Sequence, residues 1–210
     1  MSATVDEAKI AVSGHTDEAL YKQTAADTLR VLRETVGVRP DDTILEIGAG
    51  VGRVGAALAP FCREWIGADV SRHMLAHIRE RLAAFPNVRT VPLTGYDLSG
   101  VESGSVDLVY ATVVFMHLDE WERYAYVREG FRVLKPGGRM LVDNVNLLSE
   151  TGWRMFEGLS RIPPAERVPQ ISKVSTPQEL EAYFRRAGFG GILQRCDDLW
   201  LFTYGTKPSS

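Results

Sequence analysis

Apolar residues along this chain change their period several times, and each change marks an element. From Asp17 onward Leu20, Tyr21, Thr24, Leu29, Leu32 and Val36 recur near helical spacing until Gly37 stops the pattern, which predicts a helix. Pro40-Asp41-Asp42 then turns the chain into Ile44, Leu45 and Ile47, a short apolar run suited to a strand buried on both faces, with Glu46 as its only polar member. A helix over Arg53 to Phe61 follows, then a strand from Glu64 to Ala68 that ends at Asp69. Ser71 caps the next helix, which runs to about Phe85, and Val88 to Pro92 is a weaker third strand. Ser105 to Thr112 is a fourth. Asp119 caps a helix carrying Trp121, Tyr124, Val127, Phe131 and Leu134, which ends at Lys135-Pro136-Gly137-Gly138, and Arg139 to Asn144 is the fifth strand.

Leu147 to Val174 is the least regular stretch and reads as a lid. Thr176-Pro177 opens a last helix that Gly188 closes, and Gly191 to Cys196 with Leu199 to Thr206 reads as an antiparallel pair joined at Asp197-Asp198. Strand and helix alternate regularly enough to predict an α/β domain with a doubly wound, mostly parallel sheet, here finished by a hairpin. Residues 1–16 are polar and aperiodic and are expected to form a mobile tail. The remaining 17–210 then make one domain, with 147–175 as its substrate-side lid.

Composition narrows the possible partners. With 45% hydrophobic and 24% charged residues the chain is ordinary for a globular protein, and a net charge of −3 argues against a surface that tracks nucleic-acid phosphates. Cys62 and Cys196 have neither cysteine neighbours nor histidines at ligand spacing, so no disulfide framework or metal site is expected. No export signal or membrane-length apolar run is visible, which suits a cytoplasmic protein, monomer or homodimer.

The chemistry concentrates after the first strand. Gly48, Gly50 and Gly52 fall at alternate positions, where the absence of Cβ atoms lets the backbone turn sharply and a ligand approach the main chain. The helix behind them aims free N–H groups at the same place. Gly50, Gly52 and Gly55 also spell G-x-G-x-x-G, the dinucleotide fingerprint, but in that frame Gly48 and Ala49 intervene between strand and motif.

The other frame, Glu46-x-Gly48-x-Gly50-x-Gly52, resembles the first motif of class I S-adenosylmethionine-dependent methyltransferases. The resemblance extends from about Tyr21 to Tyr204. It takes in Gly67-Ala68-Asp69-Val70-Ser71, Thr94-Gly95-Tyr96-Asp97-Leu98, Ser105 to Val109 with Phe115-Met116-His117-Leu118 beyond it, Arg132 to Gly138, and Thr176 to Phe189. It implies a Rossmann-like sheet of seven strands in the order 3-2-1-4-5-7-6 and S-adenosyl-L-methionine as cofactor. On this resemblance Asp69 accepts the ribose hydroxyls and Gly95, Tyr96 and Asp97 lie near the adenine edge. Val70 and Met74 cover the adenine, or Met74 is simply core. Gly48, Ala49, Gly50 and Gly52 form the cradle, and Ala111, Thr112 and Val113 lie at the strand end where open sheets bind ligands. Glu46 either faces the ligand's ammonium or orders the loop.

Methyl transfer is an in-line displacement in which placement supplies most of the acceleration. A hydroxyl or protonated amine acceptor needs a base, and His117 is the nearest candidate; its other reading is a packed or capping histidine. Tyr21, Trp153 and Arg154 are candidates for the acceptor side. The leading expectation is a methyltransferase acting on a small-molecule acceptor, with oxygen slightly preferred. A nicotinamide-dependent oxidoreductase and a noncatalytic adenosylmethionine-binding protein of the same fold are the alternatives.

Overall fold

The computed structural model describes residues 18–209, with side chains from Gln23 onward; the tail expected over 1–16 lies outside the described residues. The helix α1 (Glu18–Thr35) leads into β1 (Thr43–Ile47), α2 (Arg53–Leu58), β2 (Glu64–Asp69), α3 (Arg72–Arg81) and β3 (Val88–Pro92). Then come β4 (Val106–Ala111), α4 (Glu120–Val133), β5 (Leu134–Asn146), α5 (Glu150–Ser160), β6 (Val174–Ser175), α6 (Pro177–Ala187), β7 (Gly190–Cys196) and β8 (Trp200–Thr206). The sheet order is β3-β2-β1-β4-β5-β8-β7, with β6 beside β5. Only β8 runs against the other strands, pairing antiparallel with β5 on one side and with β7 on the other. The expected strand order therefore holds, with one addition: β6 extends the sheet parallel to Val145 and Asn146, beyond the point where β4 leaves the ladder.

Both sheet faces are buried, and alternate residues of each strand serve different cores. Leu45, Ile47, Val109 and Val142 pack on one side with Tyr126 and Val127 of α4 and with Leu180 and Phe184 of α6. Ile44, Trp65, Tyr110 and Leu141 pack on the other with Leu32 of α1, Val54 of α2 and Ile78 of α3. Near-continuous apolar strands are what such two-sided burial requires.

Two expectations about the elements need correction. The fifth strand begins at Leu134, not Arg139. Val106 pairs with Leu134 and Leu108 with Arg139, so Lys135-Pro136-Gly137-Gly138 is a bulge inside the strand. Gly137 lies at φ 77°, and its N–H donates to the Lys207 carbonyl. The segment after β5 is also more regular than read, because α5 occupies much of it, with the Ser149 hydroxyl accepting the Gly152 N–H as its cap. Its aromatic residues Trp153 and Phe156 sit against each other, half-exposed, so the helix leaves little core signature in the sequence.

A buried cation ties the loop after β4 to β6. Arg123 of α4 donates to the Phe115 carbonyl, the Ser175 hydroxyl, the Val174 carbonyl and the Glu179 carboxylate. Asn144 of β5 donates to the same Ser175 hydroxyl at 2.7 Å. Replacing Arg123 by Met strands these acceptors and should lower the unfolding free energy by about 3 kcal/mol in urea titrations at unchanged m-value. A change within experimental error would mean that the tie carries no stability.

Candidate active site

The chain order reverses between β1 and β4, and the crevice outside their carboxyl ends is where an open α/β sheet takes its ligand. A cavity of about 730 Å³ lies there. Gly48 follows β1 directly at φ 70°, and a Cβ at this position would overlap the Val114 side chain, so the Val114 side chain of the loop after β4 packs directly on the Gly48 main chain. Asp69, at the tip of β2, accepts the Gly50 N–H on one carboxylate oxygen and the Ser71 N–H on the other, each at 2.8 Å. A carboxylate has about four acceptor sites, so each oxygen keeps one for a ligand hydroxyl. Burial raises the pKa of Asp69, and the two N–H bonds oppose that shift.

Beneath the loop lies a polar layer enclosed by apolar side chains. Glu46 and Tyr110 are register partners across β1 and β4. The Tyr110 hydroxyl donates to the Glu46 carboxyl and accepts from the Trp65 indole at 3.3 Å. Gly55 and Gly67 give the indole its space, since a Cβ on either would overlap the ring. Burial pushes Glu46 up to about 8, against the Tyr110 hydrogen bond and the Arg53 charge, and pushes Asp143 up to about 7, against the Val113 N–H and Arg53.

The methyltransferase-domain family model matches residues 44–138. A probable S-adenosylmethionine-dependent methyltransferase of Mycolicibacterium smegmatis is 34% identical over 110 residues, covering 50% of this chain and 39% of the relative. An uncharacterized methyltransferase of Bacillus subtilis, YcgJ, is 28% identical over 134 residues, 61% of this chain and 50% of its own. The crystal structure of YcgJ superposes with a TM-score of 0.71 at 19% identity, over 88% of this chain and 100% of that one. Residues 44–138 therefore match a methyltransferase domain, and the chain has the fold of the S-adenosylmethionine-dependent methyltransferases it resembles. A structure from Thermotoga maritima described as a possible histamine N-methyltransferase aligns with a TM-score of 0.67 at 20% identity, over 90% and 91% of the two chains. The chain spans no more than about half the length of the two relatives matched by sequence.

The cofactor implied by this methyltransferase family is S-adenosyl-L-methionine, and the residues present fit it. Gly48, Ala49 and Gly50 line the cavity, Asp69 offers two acceptor positions beside them, and the cavity can hold a nucleoside with an amino-acid arm. Glu46, Ala49 and Gly50 line the cavity, as do Val70, Met74 and Gly95 on its far rim and Thr112, Val113 and His117 beyond β4.

The structure does not bring the other candidates to the cavity. Gly52 caps α2 and faces Ile78 of α3 and Leu82 just past its end, and Ala111 is wholly buried in the core. Tyr96 is 59% exposed, and Asp97 is drawn into the turn by Thr94 and the Ser99 N–H and hydroxyl. Trp153 stands on the outer face of α5, and Arg154 bonds Thr151. The Tyr21 side chain lies outside the described residues. The cavity wall there comes instead from Pro169, Gln170 and Lys173 and from Tyr126 of α4. The Lys173 N–H donates to the Met116 carbonyl at 2.7 Å, and His117 Nδ1 lies 3.0 Å from the Gln170 carbonyl, so this strap is fastened to the loop after β4. Among the described residues no group of three or more metal-type ligands is clustered, and no helix is long and apolar enough to cross a membrane.

Glu46 and Asp143 keep their protons to higher pH in the folded chain than in the unfolded one. Between pH 5 and 8 the folded state therefore binds more protons, and stability falls as pH rises. Urea unfolding of the ligand-free protein should lose about 3 kcal/mol or more over that range, and Glu46→Gln should remove much of the slope. Stability that stays flat or rises from pH 5 to 8 would contradict these assignments.

Proposed function

We propose that the chain transfers the methyl group of S-adenosyl-L-methionine to a small-molecule acceptor, with a hydroxyl oxygen preferred over nitrogen or carbon. The observation that carries the reading is the bare Gly48–Gly50 loop fastened by its own N–H to Asp69, at the switch point of the sheet. When bound, the cofactor supplies a methyl group on a positively charged sulfur. The chain's residues do the rest by placement. Asp69 orients the ribose, the loop main chain and the Glu46 carboxyl receive the amino-acid arm, and the loop after β4 sets the direction of approach. Segment 147–175 acts as the acceptor-side lid through Pro169, Gln170 and Lys173.

His117 is the base in this proposal. With Nδ1–H donating to the Gln170 carbonyl, Nε2 is left as the acceptor, and the exposure of the ring lets the proton pass on to water. We place the protein in the cytoplasm as a monomer or homodimer, without a nucleic-acid partner, in keeping with its mild negative charge.

Incubation with tritiated methyl donor and a panel of hydroxylated and aminated small molecules should yield labelled product and no nicotinamide-dependent turnover. Asp69→Ala should weaken donor binding more than tenfold, or about 1.5–3 kcal/mol, and an unchanged titration would remove the ribose role. His117→Ala should abolish turnover at intact donor affinity; retained turnover leaves His117 a packing residue.

A further inference from the structure

We propose that Asp143 is a positioning residue of the donor pocket. It holds Val113 in a left-handed backbone conformation and thereby fixes the 112–114 wall against Gly48. The proposal rests on the methyl-donor reading only through the ligand used to probe it.

Val113 has φ 60°, and among the described residues it is the one non-glycine at positive φ. A β-branched side chain is poorly suited to that region, so the surroundings must impose the conformation. The last β4–β5 pair is Ala111 with Val142. One residue further along β5, the ladder does not continue: the Val113 N–H donates to the Asp143 carboxyl at 2.7 Å. Asp143 thus caps the backbone where β4 breaks away from the sheet. The break has a direct consequence, because it carries Val114 across to the surface of Gly48, where a Cβ would overlap it. Thr112, Val113 and Val114 then line the cavity opposite the glycine loop.

The location of Asp143 supports a dedicated role. It is only 3% exposed, in a strand whose neighbours Leu141, Val142 and Val145 are wholly buried. A carboxyl in such a position lowers stability relative to an apolar side chain of similar volume, unless it holds a group that would otherwise lack a partner. The Val113 N–H is such a group. Arg53 of α2, whose charge is felt by both Glu46 and Asp143, connects this acid to the layer beneath the glycine loop.

The test is a cycle of variants titrated calorimetrically with S-adenosylhomocysteine. Asp143→Leu, which matches the shape but cannot accept the N–H, should bind at least tenfold more weakly than wild type. Asp143→Asn, whose amide oxygen still accepts, should stay within threefold. Adding Val113→Gly to Asp143→Leu should return affinity to within threefold of wild type, because glycine takes positive φ without being held. Unchanged binding by Asp143→Leu, or no recovery with Val113→Gly, would overturn the proposal.

A second measurement needs no ligand and no Asp143 variant. At an ordinary position Ala is more stabilising than Gly, whereas at a left-handed one the order reverses. Val113→Gly should therefore melt above Val113→Ala, and the opposite order would equally overturn the proposal. If wild type itself gives no heat with S-adenosylhomocysteine, the donor reading falls and takes with it the pocket part of the proposal; the same Val113→Gly substitution made in Asp143→Leu then decides the hold of Asp143 on Val113, since it should raise the melting temperature more there than in wild type, and no extra gain would overturn the hold.

Discussion

The joint between Asp69 and the Gly50 N–H is the constraint on which the site depends. It ties the loop after β1 to the tip of β2, and the second oxygen of the same carboxylate ties that tip to the start of α3 through Ser71. The Gly48 and Ala49 N–H groups both reach the Ala68 carbonyl, so three loop amides are committed to one neighbouring strand end. A loop without side chains would otherwise be the softest part of the domain, since glycine loses the most freedom on ordering. Fastened in this way it becomes a preformed surface, and the ordering cost is met in folding and not at the moment of binding.

The layer beneath the loop explains why so much polarity is buried close to an apolar core. Trp65, Tyr110 and Glu46 form a chain of hydrogen bonds across three adjacent strands, with Asp143 two strands from Glu46 and the Arg53 charge acting on all three titrating groups. In low dielectric such groups interact strongly and reorient little. A carboxyl kept near neutrality by burial can respond to a cation arriving in the cavity by giving up its proton. An exposed carboxylate, already ionised, lacks this response. Across the cavity the same economy of fixed groups appears in Arg123, which joins the loop after β4 to β6, and in the strap fastened to Met116 and His117.

Much of this was legible in the sequence because it is local. The glycine spacing, the Asp69 strand tip, the Ser71, Asp119 and Thr176 caps and the closing hairpin each declare themselves within a few residues. What stayed hidden depends on partners far away in the chain. Tyr110 and Glu46 meet across 64 positions and Val113 and Asp143 across 30, so a single polar residue in an apolar strand carries no indication of what it holds. A carboxylate within Arg139-Met140-Leu141-Val142-Asp143-Asn144-Val145 was nevertheless the same kind of signal as Glu46 in its own strand. The α5 helix escaped notice because its aromatic face is turned away from the core, and the β5 bulge because Lys-Pro-Gly-Gly also describes a turn between elements. Gly52, Tyr96, Asp97 and Ala111 followed the motif in sequence yet point to packing or to turns, since a motif specifies the path of the main chain more firmly than the direction of each side chain.

Paired calorimetric titrations of the wild-type chain with S-adenosylhomocysteine and with NAD test the central claim most directly. The account predicts saturable binding of one adenosylhomocysteine per chain and no heat from the dinucleotide. Saturable binding of NAD with none of adenosylhomocysteine would contradict it.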